Sequence, residues 1–401
     1  MKTSRRLSFL SFTLSSFLFC LGASAQSLST SPTGTVPSNF AINAESSELL
    51  SSLEGFNYRL NTTSTYASNL GLQSSGGDGE LALGLGANLS YRTAVDGEAL
   101  LVGTLSYSPS YQEYFSDQAR PGAFSQSLNA TLAYNGNALA SNIGASYSVG
   151  GASNRLAGGF VDSGQLGLNG SLSWNYSPKT SFSINASYSD SAFSDSSLNG
   201  SQSSSFGFSA SWLATPLVLV GPYINFGQIR SDSAGDLDSL GLGMNFSYEL
   251  TGKTSLTANV GLQTQSFEQG GSGVSFFGEV SATWQPDDIW RVNMGLSTNT
   301  ISSPTDNNLF TNNYDFDLQV TRPLGEGRLS LGSAFSLSQF ESAGSLVTTR
   351  ESDRFLSFTL GYNRPILQQK VSLNTSAGYQ KGFGGREFSN FTLSAGLGYS
   401  F

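Results

Sequence analysis

The stretch Phe391-Thr-Leu-Ser-Ala-Gly-Leu-Gly-Tyr-Ser-Phe401 decides the fold. Phe391, Leu393, Ala395, Leu397, Tyr399 and Phe401 share one face of an extended chain. Thr392, Ser394, Gly396, Gly398 and Ser400 share the other. Side chains alternate with period two along a strand, so one face is apolar and the other small and polar. A tilted strand of this length crosses the hydrocarbon core of a bilayer. The apolar face suits lipid, and the polar face suits a watery lumen.

The same pattern recurs upstream. From Phe56 the chain repeats a unit of strand, polar loop, second strand closed by an aromatic or aliphatic residue, and tight turn. The closing residues are Tyr91, Tyr134, Tyr176, Trp212, Tyr248, Trp284, Val320, Tyr362 and Phe401. A repeat of this size also fits a propeller or solenoid. Propeller blades bury both faces of most strands, however, and here one face stays Ser, Asn, Thr and Gly throughout. Nine hairpins give an antiparallel, all-β transmembrane barrel of about 18 strands over residues 55–401, with both ends on one side. Pro216 and Pro222 make the ninth strand the weakest and leave its facing open, because proline interrupts a ladder. The first strands of each hairpin are expected to start near Phe56, Ala99, Leu139, Thr180, Leu217, Thr254, Trp290, Leu329 and Val371. The second strands are expected near Leu81, Phe124, Leu166, Phe206, Leu240, Phe276, Tyr314, Leu356 and Phe391.

Tyr91, Tyr134, Tyr176, Trp212, Tyr248, Trp284 and Tyr362 form an aromatic girdle at one membrane interface. Phe124, Phe206, Phe276 and Phe391 begin the same strands at the other. Short turns such as Asn135-Gly136-Asn137 and Thr251-Gly252-Lys253 follow the first set. Longer loops, such as Ser189–Ser203, Ile301–Asn313 and Glu341–Arg354, lie opposite. Short turns on the periplasmic side and longer loops outside are the outer-membrane arrangement, so both termini are expected in the periplasm.

Composition agrees. Only 38% of the 401 residues are apolar and 12% charged, the charged share being about half that of soluble domains. Met1 to Ala25 reads as a cleaved signal peptide, with Lys2, Arg5 and Arg6, an apolar core and Ala23-Ser24-Ala25. Residues 26–54 read as a polar leader, in which Phe40 to Leu53 fits either a short helix or irregular chain. Without Lys2, Arg5 and Arg6, 16 basic residues remain against 28 acidic ones, a net charge of about −12. That balance excludes nucleic acid as a partner.

The chain has no His, and its one Cys, Cys20, lies in the signal peptide. Imidazole and thiolate chemistry are therefore absent from the mature chain, so no enzyme is expected. No cofactor or metal site is expected either. Asp232, Asp236 and Asp238 lie within reach of a cation on paper but read better as solvated. The alternating glycines Gly84/Gly86 and Gly241/Gly243 read as lumen-facing strand positions and not as phosphate loops. The wall carries one cluster of charge, Glu279, Arg291, Asp315, Asp317 and Arg328. Two readings stand: cross-strand pairing that holds register, or a selectivity patch beside the water path. No loop is long enough to encode a folded plug.

The last strand resembles the C-terminal strand of bacterial outer-membrane barrels. That resemblance implies that Tyr399 and Phe401 form the signal read by the barrel-assembly machinery. From Phe56 to Phe401 the chain also resembles the second family of β-barrel porins of Gram-negative bacteria. Thr62-Thr-Ser-Thr-Tyr-Ala-Ser-Asn-Leu70 and Gly396-Leu-Gly-Tyr-Ser-Phe401 carry the likeness. Ala67 stands where members usually have an acidic residue. The resemblance implies a pore in outer-membrane lipid. Its contents would be small hydrophilic solutes or saccharides, since relatives sit beside exopolysaccharide export systems. Three functions follow: passive diffusion channel, specific conduit for oligosaccharide or exopolysaccharide, or structural and surface-binding barrel with little conductance.

Overall fold

The computed structural model describes residues 55–73, 79–93, 100–115, 122–154, 159–195, 197–231, 235–268, 272–302, 309–342, 352–367, 370–385 and 387–400. The proposed signal peptide, the leader, the expected strand start at Ala99, Asp232 and Phe401 lie outside them.

Eighteen antiparallel strands form one closed sheet. They are β1 (Phe56–Ala67), β2 (Glu80–Arg92), β3 (Leu101–Phe115), β4 (Ala123–Asn135), β5 (Leu139–Asn154), β6 (Gly159–Ser177), β7 (Thr180–Phe193), β8 (Ser201–Thr215) and β9 (Val218–Ser231). There follow β10 (Gly235–Thr251), β11 (Thr254–Phe267), β12 (Ser272–Trp284), β13 (Arg291–Ser302), β14 (Leu309–Leu324), β15 (Gly327–Ser342), β16 (Ser352–Ile366), β17 (Val371–Gly384) and β18 (Phe388–Ser400). Each strand pairs with its neighbours in the chain, and β1 pairs with β18 from Arg59↔Ser400 to Ala67↔Thr392. Closure leaves no edge strand, which is the condition for a sheet to cross lipid. No helix among the described residues is long and apolar enough to cross a membrane.

The expected alternation is present. On β18, Phe391, Leu393, Leu397 and Tyr399 are exposed on the outside. On β2, Leu81, Leu83 and Leu85 are exposed, while Ala82 and Gly84 face inward. Thr63 on β1 covers Gly84 from the inside.

Strand starts on the short-turn side fall within two residues of expectation. On the opposite side the second strands begin earlier than expected: β6 at Gly159 rather than near Leu166, and β10 at Gly235 rather than near Leu240. The reason is that the strands continue past the apolar band with polar outer faces. Asp190 accepts from Gln202, Asp238 accepts from Gln228, and Arg230 pairs with Asp236 at 3.5 Å. Apolar patterning marks only the part of a strand that meets lipid. Asp236 and Asp238 are thus strand residues with side-chain partners, and the described residues hold no cluster fit for a metal ion.

β9 is a true strand despite its prolines. Its ladder to β10 is continuous from Ser231 to Val218. Its ladder to β8 runs to Ser209↔Tyr223 and resumes at Trp212↔Val220. The gap falls at Pro222, which has no N–H to give. Pro109 opens the same kind of gap between β2 and β3, bridged by Asn88 Nδ2 donating to Ser108 Oγ at 2.7 Å. Register also settles the facing of β9: Phe206 pairs with Phe226 outside, so Tyr223 and Asn225 face the lumen.

Candidate functional site

The lumen is not an open cylinder. The ladder between β12 and β13 stops at Glu279↔Ser297, although β12 begins at Ser272 and β13 ends at Ser302. Beyond that point the β13–β14 hairpin leaves the wall and folds inward. Phe310 occupies a lipid-facing position of β14 by alternation, yet it is only 1% exposed. It packs with Leu237, Ile229 and Phe267, which are lumen-facing on β10, β9 and β11. The Phe267 and Phe310 rings lie 5.4 Å apart. Cα atoms of β9 and β13 approach within 8 Å, where four strand spacings along the wall are ~19 Å.

Polar side chains hold the fold. Gly278 N–H, which loses its ladder partner, donates to Thr298 Oγ1 at 2.8 Å. Gln265 Nε2 donates to Thr300 Oγ1 at 3.0 Å, and Thr300 donates to Asn312 Oδ1 at 2.6 Å. Ser338 Oγ donates to Asn313 Oδ1 at 2.7 Å. Thr311, Asn312 and Asn313 are all buried, as expected of a hairpin with wall on one side and neighbours on the other. The amides of Asn312 and Asn313 are tolerable there because they accept from Thr300 and Ser338, whereas Thr311 Oγ1 is buried without a partner.

A second hairpin leans inward at the same rim. β5 pairs with β4 only as far as Val149↔Gln126, while its ladder with β6 continues to Asn154↔Gly159. Phe160, lipid-facing by alternation on β6, meets lumen-facing Tyr114 of β3 edge to face, ring centroids 5.6 Å apart.

Below the β13–β14 hairpin lies a cavity of about 1080 Å³. Its inward-facing lining is mostly amides and hydroxyls, with Leu219, Tyr223, Phe277 and Glu279. Tyr223 and Phe277 are three strands apart on the wall but their rings meet at 5.5 Å.

Register places the charge cluster in two tiers. Glu279 and Asp315 both pair with Ser297, and Asp317 pairs with Gly295, over whose backbone its carboxylate lies. Arg291 pairs with Thr321, and Arg328 with Asn363 and Pro323. Arg291 is thus four residues, ~13 Å, from the level of Asp317. It donates to Gln285 at 3.4 Å. The two arginines sit toward the short-turn rim and the acids at mid-wall, so no acid–base pair stands directly across a ladder. At the opposite mouth, Ser197 N–H donates to Asp195 Oδ1 at 2.8 Å and holds that carboxyl below its ordinary range.

The seven residues proposed for the girdle close strands on the short-turn side. Tyr134, Tyr176, Trp212 and Trp284 are exposed on the outside, Tyr91 packs against Phe56 with ring centroids 4.5 Å apart and planes tilted, and Tyr248 and Tyr362 are half-exposed. Tyr399 faces outward, 40% exposed.

The inward hairpins are absent from the sequence reading. Their signal was present: Thr298, Thr300 and Asn312 are polar at lipid-facing positions, and Leu309-Phe310 is apolar inside a polar loop.

No family model matches the chain, and no curated protein does. Among solved structures, the FrpB iron transporter from Neisseria meningitidis is similar at 10% identity and a TM-score of 0.49, covering 86% of this chain and 82% of that one. OpdL from Pseudomonas aeruginosa is similar at 11% identity and a TM-score of 0.44, covering 86% and 98%. The siderophore receptor PirA from Acinetobacter baumannii is similar at 8% identity and a TM-score of 0.47, covering 86% and 80%.

Proposed function

We propose that this barrel is an outer-membrane channel for passive diffusion of small hydrophilic solutes. One observation carries the reading: a lumen lined by amides and hydroxyls is narrowed by its own hairpin, leaving a polar cavity of about 1080 Å³. A wall of that kind wets readily and offers exchangeable hydrogen bonds without a deep binding well. On this reading the signal peptide directs export, both termini are periplasmic, and Tyr399 and Phe401 engage the assembly machinery. Glu279, Asp315 and Asp317 then act as a mild selectivity patch rather than as a register lock.

The aromatic pair Tyr223–Phe277 favours a second reading, a conduit for neutral saccharide. A structural barrel with little conductance is the third. Reconstitution of the mature protein in a planar bilayer tests the first two against the third. Steady ohmic steps in KCl are expected. A barrel inserted and folded by gel mobility but silent in the bilayer would overturn the channel.

A further inference from the structure

The Tyr223–Phe277 pair is an aromatic contact on a lumen surface that elsewhere in the cavity is amide and hydroxyl, apart from Leu219 and Glu279. Glycines make room for the two rings. A side chain at Gly243 would come within 2.7 Å of the Tyr223 ring, and one at Gly241 within 3.0 Å of the Phe277 ring. Gly261 lies under Phe277 in the same way, at 2.8 Å. The rings meet edge to face, with planes at 82°, so they present a corner of apolar surface to the cavity. Apolar surface left facing water is unfavourable; a solute with an apolar face removes that cost.

The groups around the corner are hydrogen-bonding and almost all neutral. Asn225, Asn259 and Gln263 each bring a donor and an acceptor on one amide, and Glu279 is the cavity's single ionised lining group. Amides are matched to hydroxyls, which also donate and accept. A phosphate or carboxylate would meet Glu279 with no lining cation. We propose that this cavity is a binding subsite for pyranose rings of an uncharged oligosaccharide. The C–H face of a ring covers Tyr223 and Phe277, its hydroxyls exchange hydrogen bonds with the three amides, and Glu279 accepts from one hydroxyl. The volume is at the upper end of pockets that hold drug-sized ligands. The inference rests on the saccharide reading of the channel, and it names where selectivity lies.

The test uses the mature barrel in planar bilayers, with maltohexaose and cellohexaose as probes and polyethylene glycol of matching size as control. At least one hexaose should block the current in a saturable way, and the polymer should not. In the Tyr223→Leu, Phe277→Leu double variant the blocking constant should rise about tenfold, ~1.4 kcal/mol. Should that variant fail to fold, Glu279→Gln should weaken block by removing one acceptor charge. Titration calorimetry of the detergent-solubilised barrel separates the two claims. Hexaose binding without conductance keeps the subsite and overturns the channel. Conductance with neither block nor heat keeps the channel and overturns the subsite. Equal block by the polymer, or block unchanged in both variants, also overturns it.

Discussion

Gly243 of β10 has no space for a side chain: a Cβ there would lie 2.5 Å from the Val260 carbonyl oxygen and 2.7 Å from the Tyr223 ring. Gly273 of β12 has nothing within 4 Å. Gly243→Val should therefore destabilise the barrel by ~1–3 kcal/mol through overpacking, whereas Gly273→Val should be near neutral. The readout is the temperature at which the folded band is lost on a semi-native gel. Equal midpoints for the two variants would remove the argument that glycine is needed for the close approach. Arg59 acts at the same scale. It reaches from β1 over Gly398 of β18 and donates to Ser372 Oγ of β17 at 2.6 Å. It thus ties together the three strands that meet where the sheet closes. A hydrogen bond from a charged donor is worth ~1.5–3 kcal/mol, so Arg59→Met should lower the same midpoint. A midpoint equal to that of the unsubstituted protein would show the contact to be idle.

The β13–β14 hairpin is an element that folds from the wall into the lumen. Its anchor is Phe310 against Leu237, Ile229 and Phe267. Replacing a buried Phe by a small residue costs ~3–5 kcal/mol of local packing, more than the few bonds through Thr300 and Asn312 restore. Phe310→Ser should release the hairpin and raise single-channel conductance roughly twofold, with larger fluctuations of the open current. Conductance equal to the parent protein would mean that the hairpin stays in place without this ring, or that the narrowest point lies elsewhere.

At the scale of the whole molecule the field is acidic. The chain without its proposed signal peptide carries a net charge of about −12, and Glu279, Asp315 and Asp317 place acid at mid-wall. The arginines Arg291 and Arg328 sit at one rim and offset this only in part. Acidic walls concentrate cations, but in ~0.15 M salt the Debye length is ~8 Å. Weak cation selectivity is expected, growing as salt is diluted. The Asp315→Asn, Asp317→Asn double variant should lose part of it without closing. Reversal potentials across a KCl gradient give the answer; anion preference, or no shift in the variant, would return the cluster to a purely structural role.

The barrel was legible in the sequence because lipid imposes one rule on every strand. Alternate residues must be apolar over a fixed length, and aromatics gather at both interfaces, so Tyr134, Trp212, Trp284 and Phe391 mark their strands without any knowledge of neighbours. Strand number, pairing order and the facing of most strand residues follow from that rule. It also located Glu279, Arg291, Asp315, Asp317 and Arg328 on the inner wall. Where lipid ends, the rule ends. The positions of Arg291 and Arg328 at strand starts already put them near the short-turn end; register between strands fixed their distance from the acids. Pro222 left the facing of β9 open until its ladder with β10 fixed it. Thr298, Thr300, Asn312 and Phe310 became a lumen-filling hairpin only because Leu237, Ile229, Phe267 and Gln265, distant in sequence, offer them an apolar patch and a hydrogen-bond donor. Tyr223 and Phe277 likewise meet only because glycines on two intervening strands let the wall approach itself. Such contacts depend on the curvature of the closed sheet, a property of all its strands together that no local pattern encodes.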